Sequence, residues 1–327
     1  MWFNEGISGL EDQPRAVQVE RQNATEFILL GLLNHSKVHM FFLAIIFLAF
    51  ITAVSGNALL IFLIQVTPSL HTPMYFFLSQ LAFMDICPSL FIIPKMSVDF
   101  LIPGNTISLA GCRTQVFLML TIGGGECLLL PVMSYDRYVA ICNPLHYPVL
   151  LSRRVCLGLT AAVWISALIN ALIHTVYAMR LPYCDSKSID HFFCEIPPLL
   201  KLSCSDTSTY ETVVVLNSSI LLLIPFSIIL ASYARIVATV LRMKSTTGQQ
   251  KALATCSSHL TVVGLFYGAA MFTYMKPNSY HSTRQDKIVP VFYSIVTPVL
   301  NPVIYSLRNR DVLGALRKLV GKHRVLH

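Results

Sequence analysis

Met40-Phe41-Phe42-Leu43-Ala44-Ile45-Ile46-Phe47-Leu48-Ala49-Phe50 is a run of eleven residues without a polar side chain. A helix on the surface of a soluble protein would break such a run every third or fourth position, and a half-buried strand would alternate. Ile220-Leu221-Leu222-Leu223-Ile224-Pro225-Phe226-Ser227-Ile228-Ile229-Leu230 repeats the pattern with a single serine. Strands of a membrane barrel would be about ten residues long with alternating polarity, so both runs are read as membrane-crossing helices. A bilayer core about 30 Å thick asks for about 20 mostly apolar residues per helix. Seven segments meet that requirement, near 39–65, 74–97, 110–138, 155–178, 209–241, 252–275 and 286–306. The composition agrees: of 327 residues 54% are hydrophobic and only 12% charged, against about 25% charged in soluble domains, and the mean hydropathy is +0.63. A soluble protein is excluded. The expected fold is an all-α membrane protein, a seven-transmembrane helix bundle with a short amphipathic cytosolic helix after the last span.

Lys and Arg set the direction, because cytoplasmic loops accumulate them. With the amino terminus outside, the cytosolic pieces carry thirteen basic residues against Asp136 and Asp311, and the outer pieces carry eleven against twelve acids. Asp85 and Glu126 lie within spans, which completes the net charge of +8. This predicts an extracellular tail over 1–38, the seven-transmembrane bundle over 39–306 and a cytoplasmic tail over 307–327. The basic excess is a topology signal and not a nucleic-acid footprint. Residues 1–38 lack the apolar stretch of a cleavable signal peptide, so the first span is expected to act as its own insertion signal. Asn23-Ala24-Thr25 is an N-glycosylation sequon in the outer tail. Asn34-His35-Ser36 sits too close to the membrane and Asn217-Ser218-Ser219 falls inside a span, so neither is expected to be used. Of nine cysteines, Cys112, Cys184, Cys194 and Cys204 map outside, which implies two disulfides with three possible pairings.

Ionisable groups inside spans are functional candidates. At about 1.5 Å per residue, Asp85 in span two and Glu126 in span three lie at a common depth, roughly 15 to 17 Å from the cytosolic side. Two carboxylates at one depth invite a shared proton or a bound cation such as sodium; the alternative is two protonated acids hydrogen-bonded to neighbouring helices. Asn57 and Asn301 lie near enough to join that network. Asp136-Arg137-Tyr138 ends span three at the cytosol. No carboxylate occurs at the inner end of span six, so Arg137 must be restrained by Asp136, hydroxyls or carbonyls. Pro302 removes a backbone hydrogen bond near the end of span seven, and Val312 to Val320 reads as an amphipathic helix on the inner leaflet.

Four longer stretches carry a resemblance. They are Leu70-His71-Thr72-Pro73-Met74-Tyr75-Phe76-Phe77-Leu78, Met133-Ser134-Tyr135-Asp136-Arg137-Tyr138-Val139-Ala140-Ile141-Cys142, Lys251-Ala252-Leu253-Ala254-Thr255-Cys256-Ser257-Ser258-His259-Leu260 and Asn301-Pro302-Val303-Ile304-Tyr305-Ser306-Leu307-Arg308-Asn309. In this order the chain, over roughly 23 to 320, resembles the rhodopsin-like G-protein-coupled receptors and within them the olfactory receptors. The resemblance implies disulfides pairing Cys112 with Cys194 and Cys184 with Cys204. It implies a small volatile odorant in the outer half of the bundle and, at the plasma membrane, a heterotrimeric G protein of the stimulatory, olfactory type that raises cyclic AMP.

Three departures stand out. Ser134 replaces the usual alanine before Tyr135. Trp2 and Trp164 are the only tryptophans, so Tyr267 takes the place of the tryptophan switch, and any bend near it must come from Gly264 and Gly268 or from side chains. Lys251-Ala252-Leu253-Ala254 varies the usual Lys-Ala-Phe-Ser.

By position, the expected ligand contacts are Met119, Leu120, Gly123, Asn217, Leu221, Tyr267, Met271, Tyr274 and Ser294, a largely apolar set with a few polar groups. Met119 stands where amine receptors carry an aspartate, which disfavours a cationic amine. Gly123-Gly124-Gly125 makes room for a ligand or for a close helix neighbour. Asp136, Arg137, Tyr138, Tyr233, Asn301, Pro302 and Tyr305 are the expected activation and G-protein-coupling residues. The alternative function is an ion or proton carrier using Asp85 and Glu126, though no internal repeat supports it. No nucleophile-base constellation, phosphate loop or metal motif points to an enzyme or a cofactor.

Overall fold

The computed structural model describes residues 26–32, 39–102, 104–183, 187–275, 283–307 and 309–325. In chain order the elements are β1 (Glu26–Leu29), α1 (His39–Val66), α2 (Pro73–Leu101), β2 (Thr106–Ser108), α3 (Leu109–Cys142), α4 (Tyr147–Leu150), α5 (Arg153–Ala178), β3 (Ser188–Ile189), α6 (Ile196–Leu200), α7 (Ser208–Leu241) and α8 (Thr246–Tyr274). The chain continues through α9 (Thr283–Val291), a π-helical turn over Phe292–Val296, α10 (Thr297–Leu307) and α11 (Arg310–Val325). Among the described residues, seven helices are long and apolar enough to cross a membrane: α1, α2, α3, α5, α7, α8 and the composite of α9, the π turn and α10. They match the seven expected segments. Several run on past the apolar slab, α2 to Leu101, α3 to Cys142 and α8 back to Thr246, because a helix that has already been nucleated extends into water one hydrogen bond at a time. The amino ends of α3 and α8 are capped: Ser108 Oγ accepts from the Gly111 amide and Ser245 Oγ from the Gly248 amide.

α3 sits at the centre, packed on α2, α5, α7 and α8. Large apolar side chains such as Phe41, Phe47, Ile165, Ile173 and Ile224 are exposed on the outside of the bundle, as expected of surfaces that face lipid rather than water. The three mid-helix glycines divide the demands on α3 between them. Successive residues point about 100° apart, so Gly123 faces open space, Gly124 meets Ala167 of α5, and Gly125 meets the Met84 side chain of α2.

Proline chemistry explains the seam between α1 and α10. Pro302 has no N–H to offer the carbonyl four residues back, and the Asn57 amide nitrogen donates to that Pro298 carbonyl at 2.9 Å. The Pro302 ring lies against Gly56, where a Cβ would come within 3.1 Å of it. Asn57 therefore serves the α1–α10 seam through backbone carbonyls, Ala53 as well as Pro298, rather than the Asp85 carboxylate.

At the end of the bundle that carries Cys112, three short strands form a sheet in the order β2-β1-β3, with β1 antiparallel to β2 and parallel to β3. Phe27 and Leu29 face inward and Glu26 is exposed, the period of two that a strand imposes. Hydropathy did not foretell this sheet, because four residues are too few to stand out beside a helix-length apolar run. Within the expected tail, residues 26–29 are thus a docked strand, while Asn23 lies outside the described residues.

Candidate functional site

The sheet end of the bundle closes over a cavity of about 110 Å³. Cys194 in the α5–α7 loop is bonded to Cys112 of α3, 82 residues away. The Cys194 amide donates to Gln115 Oε1 at 3.0 Å, and the Gln115 side chain donates to the Phe91 carbonyl of α2 at 3.4 Å. The loop is thereby pinned across two helices. Cys204 is also disulfide-bonded; its expected partner Cys184 lies outside the described residues.

Glu195, next in sequence to Cys194, forms part of the cavity wall. Its Oε1 accepts hydrogen bonds from the Tyr293 hydroxyl at 2.7 Å and from the Tyr274 hydroxyl, so one buried carboxylate ties the loop to α8 and to the π turn. Neighbouring His191 is buried, with Nε2 3.8 Å from Glu195 Oε2. Burial pushes the His191 pKa below its ordinary value, against the opposing pull of Glu195.

Of the nine expected contacts, Met119, Leu120, Gly123, Asn217, Leu221 and Tyr274 line the cavity. Tyr267, Met271 and Ser294 are not among its lining residues, and the helical phase explains why. On α8 the lining positions are Phe266, Ala270 and Tyr274, spaced at i, i+4 and i+8, which turns Tyr267 and Met271 into the packed core. Tyr267 donates to the Cys127 carbonyl at 2.6 Å and packs its ring on Phe226, 5.4 Å between centroids. Cys127 itself lines the cavity, so Tyr267 supports a lining residue from behind. In the last span Tyr293 takes the lining position, and the Ser294 hydroxyl turns back to the Pro290 carbonyl at 2.7 Å. The π turn holds one extra residue per turn, a shift that apolar spacing alone does not reveal. Asn170, His174, Glu195 and Tyr293 also line the cavity. For Glu195 and Tyr293 the only signal in the sequence was adjacency to Cys194 and Ser294.

Deeper in the bundle, Asn301 Nδ2 donates to both carboxylate oxygens of Asp85, at 3.1 and 2.9 Å, which braces α2 against α10. Glu126 is buried on α3. At the far end, Arg137 Nε donates to Asp136 Oδ2 at 2.9 Å with a second contact from Nη2, and the Tyr147 hydroxyl of α4 donates to Asp136 Oδ1 at 2.7 Å. Asp136 is fully buried and both of its oxygens are engaged. Tyr233 is hydrogen-bonded to His259 Nδ1 at 2.9 Å. Arg137, His259 and Tyr305 line a second cavity, of about 550 Å³. Tyr138 instead packs beside Tyr135. Ser134, the departure noted beside this cluster, donates to the Pro131 carbonyl at 2.8 Å, so its hydroxyl is satisfied within α3.

A seven-helix membrane bundle with a loop disulfide on its third span and an Asp-Arg pair at that span's other end defines the class of rhodopsin-like G-protein-coupled receptors. The profile of the family described as olfactory receptor matches residues 45–323. Human olfactory receptor 2T27 is 54% identical over 297 residues, covering 91% of this chain and 94% of the relative. Mouse olfactory receptor 2V1 is 53% identical over 299 residues, covering 91% and 95%, and human olfactory receptor 2T1 is 53% identical over 300 residues, covering 92% and 81%. The chain belongs to the olfactory receptor family. It is a multi-pass membrane protein and an odorant receptor, a signalling protein and not an enzyme.

Proposed function

We propose that this receptor binds small, mostly apolar volatile molecules in the cavity beneath the Cys112–Cys194 disulfide and answers by opening its Arg137 end to a stimulatory, olfactory-type G protein that raises cyclic AMP. The cavity itself carries the proposal. Its apolar walls come from α3, α7 and α8, its volume of about 110 Å³ is comparable to the roughly 150 Å³ engineered cavity that accepts benzene, and its roof is fixed by the disulfide. The excess of Lys and Arg on the Arg137 side supports a cytosolic carboxyl terminus and an extracellular, Asn23-glycosylated amino terminus at the plasma membrane. A ligand shifts the receptor only by binding the two states unequally. Tyr274 and Tyr293 hold Glu195 from two different spans, so a ligand that spreads those spans breaks these bonds and one that draws them together keeps them.

Asp85 and Glu126 would hold a sodium ion in the resting receptor. The donor set is all oxygen, as hard cations prefer, and the buried Asn301 Oδ1 beside Asp85 has no hydrogen-bond partner. Bound there, sodium would offset one of the two carboxylate charges and ease the repulsion between them.

Cyclic AMP in cells displaying an amino-terminally tagged receptor tests the proposal. Gly123→Leu fills open space in the cavity and should abolish odorant responses, and Arg137→Ala should abolish them with display intact. Full signalling by Arg137→Ala would sink the coupling assignment.

A further inference from the structure

The polar groups of the cavity are not scattered. Asn170 and His174 lie one turn apart on α5, and Asn217 and Ser218 face them from α7; all four line the cavity. Asn217 Nδ2 donates to Asn170 Oδ1 at 3.0 Å. Whichever amide is taken as the donor, a pair joined by one bond leaves a carbonyl oxygen and an amide N–H₂ with capacity to spare. His174 adds a further acceptor. The Tyr210 hydroxyl has one hydrogen, and it donates to the His174 carbonyl at 3.1 Å. The 3.1 Å contact between His174 Nδ1 and the same hydroxyl is then satisfied when Nδ1 carries the proton and donates. Nε2 is left as a bare acceptor.

Three further polar side chains of the lining, Glu195, Tyr274 and Tyr293, are engaged with one another, both hydroxyls donating to Glu195 Oε1. Among the described residues that line the cavity there is no Lys or Arg. An anionic ligand would therefore meet a carboxylate and no cation.

We propose that the ligands of this receptor are neutral hydroxyl compounds, and that the α5–α7 cluster of Asn170, His174 and Asn217 reads the hydroxyl as donor and acceptor at once. This rests on the odorant-cavity reading above and narrows it to a chemical class. A hydroxyl donates to His174 Nε2 or to the spare amide carbonyl and accepts from the spare amide N–H₂. A ketone or an ether only accepts, which leaves buried acceptors of the cluster unpaired in a water-poor cavity. Sites built to pair with a hydroxyl penalise analogues that lack it. The hydrocarbon part lies on Met119, Leu120 and Phe266.

The test compares compounds with one carbon skeleton and different heads. Cells displaying the tagged receptor are challenged with hexan-2-ol, octan-2-ol and 1-phenylethanol, with their methyl ethers, with the matching ketones, and with hexanoate and benzoate. Cyclic AMP responses should appear for at least one alcohol at a concentration about tenfold or more below its ether and ketone, with the carboxylates inactive. The alcohol–ether gap should shrink in Asn217→Leu and in His174→Phe, which keeps an aromatic ring and removes the acceptor. Ethers or carboxylates as potent as the alcohols, or a gap unchanged in both variants, would overturn the hydroxyl reading. So would silence towards every alcohol from a displayed receptor. Gly123→Leu separates the two levels. If it abolishes an ether response as strong as the alcohol's, the cavity stands and the hydroxyl preference falls; if it leaves the alcohol response intact, the cavity reading falls and takes the preference with it.

Discussion

Gly56 and Gly123 are both helical glycines in the bundle, yet a methyl group meets different surroundings at each. At Gly56 it would press within 3.1 Å of the rigid Pro302 ring, whereas at Gly123 nothing lies within 4 Å. A proline ring at a helix seam cannot move aside, so Gly56→Ala should destabilise the receptor by about 1–3 kcal/mol. Gly123→Ala should be neutral or stabilising by up to about 1 kcal/mol, because alanine favours the helix. Thermal unfolding of the two purified variants in detergent checks the contrast, and equal melting temperatures would contradict the seam. His191 makes a second prediction, on pH. Its folded pKa lies below the ordinary 6.5, so the folded state binds the proton less readily than the unfolded chain. The stability gained by keeping the ring neutral is complete above 6.5 and declines as the pH falls below it. Between about pH 7.5 and 5.5 the wild-type melting temperature should fall more steeply than that of His191→Gln; parallel slopes would remove His191 from the acid response.

At the scale of elements, β1 carries more than its four residues suggest. Phe27 is fully buried, stands edge-on to Tyr183 at 5.6 Å, and belongs to a cluster with Cys112, Val116, Cys194 and Ile196. Val116, Cys194 and Ile196 also line the cavity beneath the disulfide. The strand thus seals the roof from above through shared side chains. Phe27→Ala removes a buried aromatic, a change that typically costs about 3–5 kcal/mol, and it should reduce surface display and weaken odorant responses together. Retained display with unchanged potency would show that the sheet does not govern the roof. The Cys112–Cys194 bond closes a loop of 82 residues, for which chain-entropy reasoning gives about 4–5 kcal/mol. The double variant Cys112→Ala with Cys194→Ala should therefore be retained inside the cell, as measured by surface staining against total receptor.

At the scale of the whole molecule, the described residues place one cavity at each of two opposite ends of the helix bundle, with α3 running between them. Gly123 stands in the first, Glu126 is buried in the middle, and Arg137 lines the second. At the Arg137 end, Asp136 is shared between Arg137 and the Tyr147 hydroxyl. Orientation is a property of the same scale. A glycosidase-sensitive mass shift that vanishes in Asn23→Gln is expected if the amino terminus is extracellular; a shift that survives the substitution would place the glycan elsewhere.

The sequence by itself determined the seven spans, because a bilayer imposes a length and a polarity that any helix crossing it must display. It also determined the family, through long motifs in order, and six of the residues that line the cavity, since depth along a helix follows from counting. The azimuth around each helix was decided only in three dimensions. One residue is about 100°, which is why Phe266 and Ala270 line the cavity while Tyr267 and Met271 turn into the core, and why the π turn brings Tyr293 forward instead of Ser294. Tertiary structure alone decided the partners as well. Asn217 meets Asn170 across 47 residues, Tyr274 meets Glu195 across 79, and Asn301 meets Asp85 across 216. Hydropathy records only that each of these groups is polar; which of them satisfies which depends on helices brought together by packing.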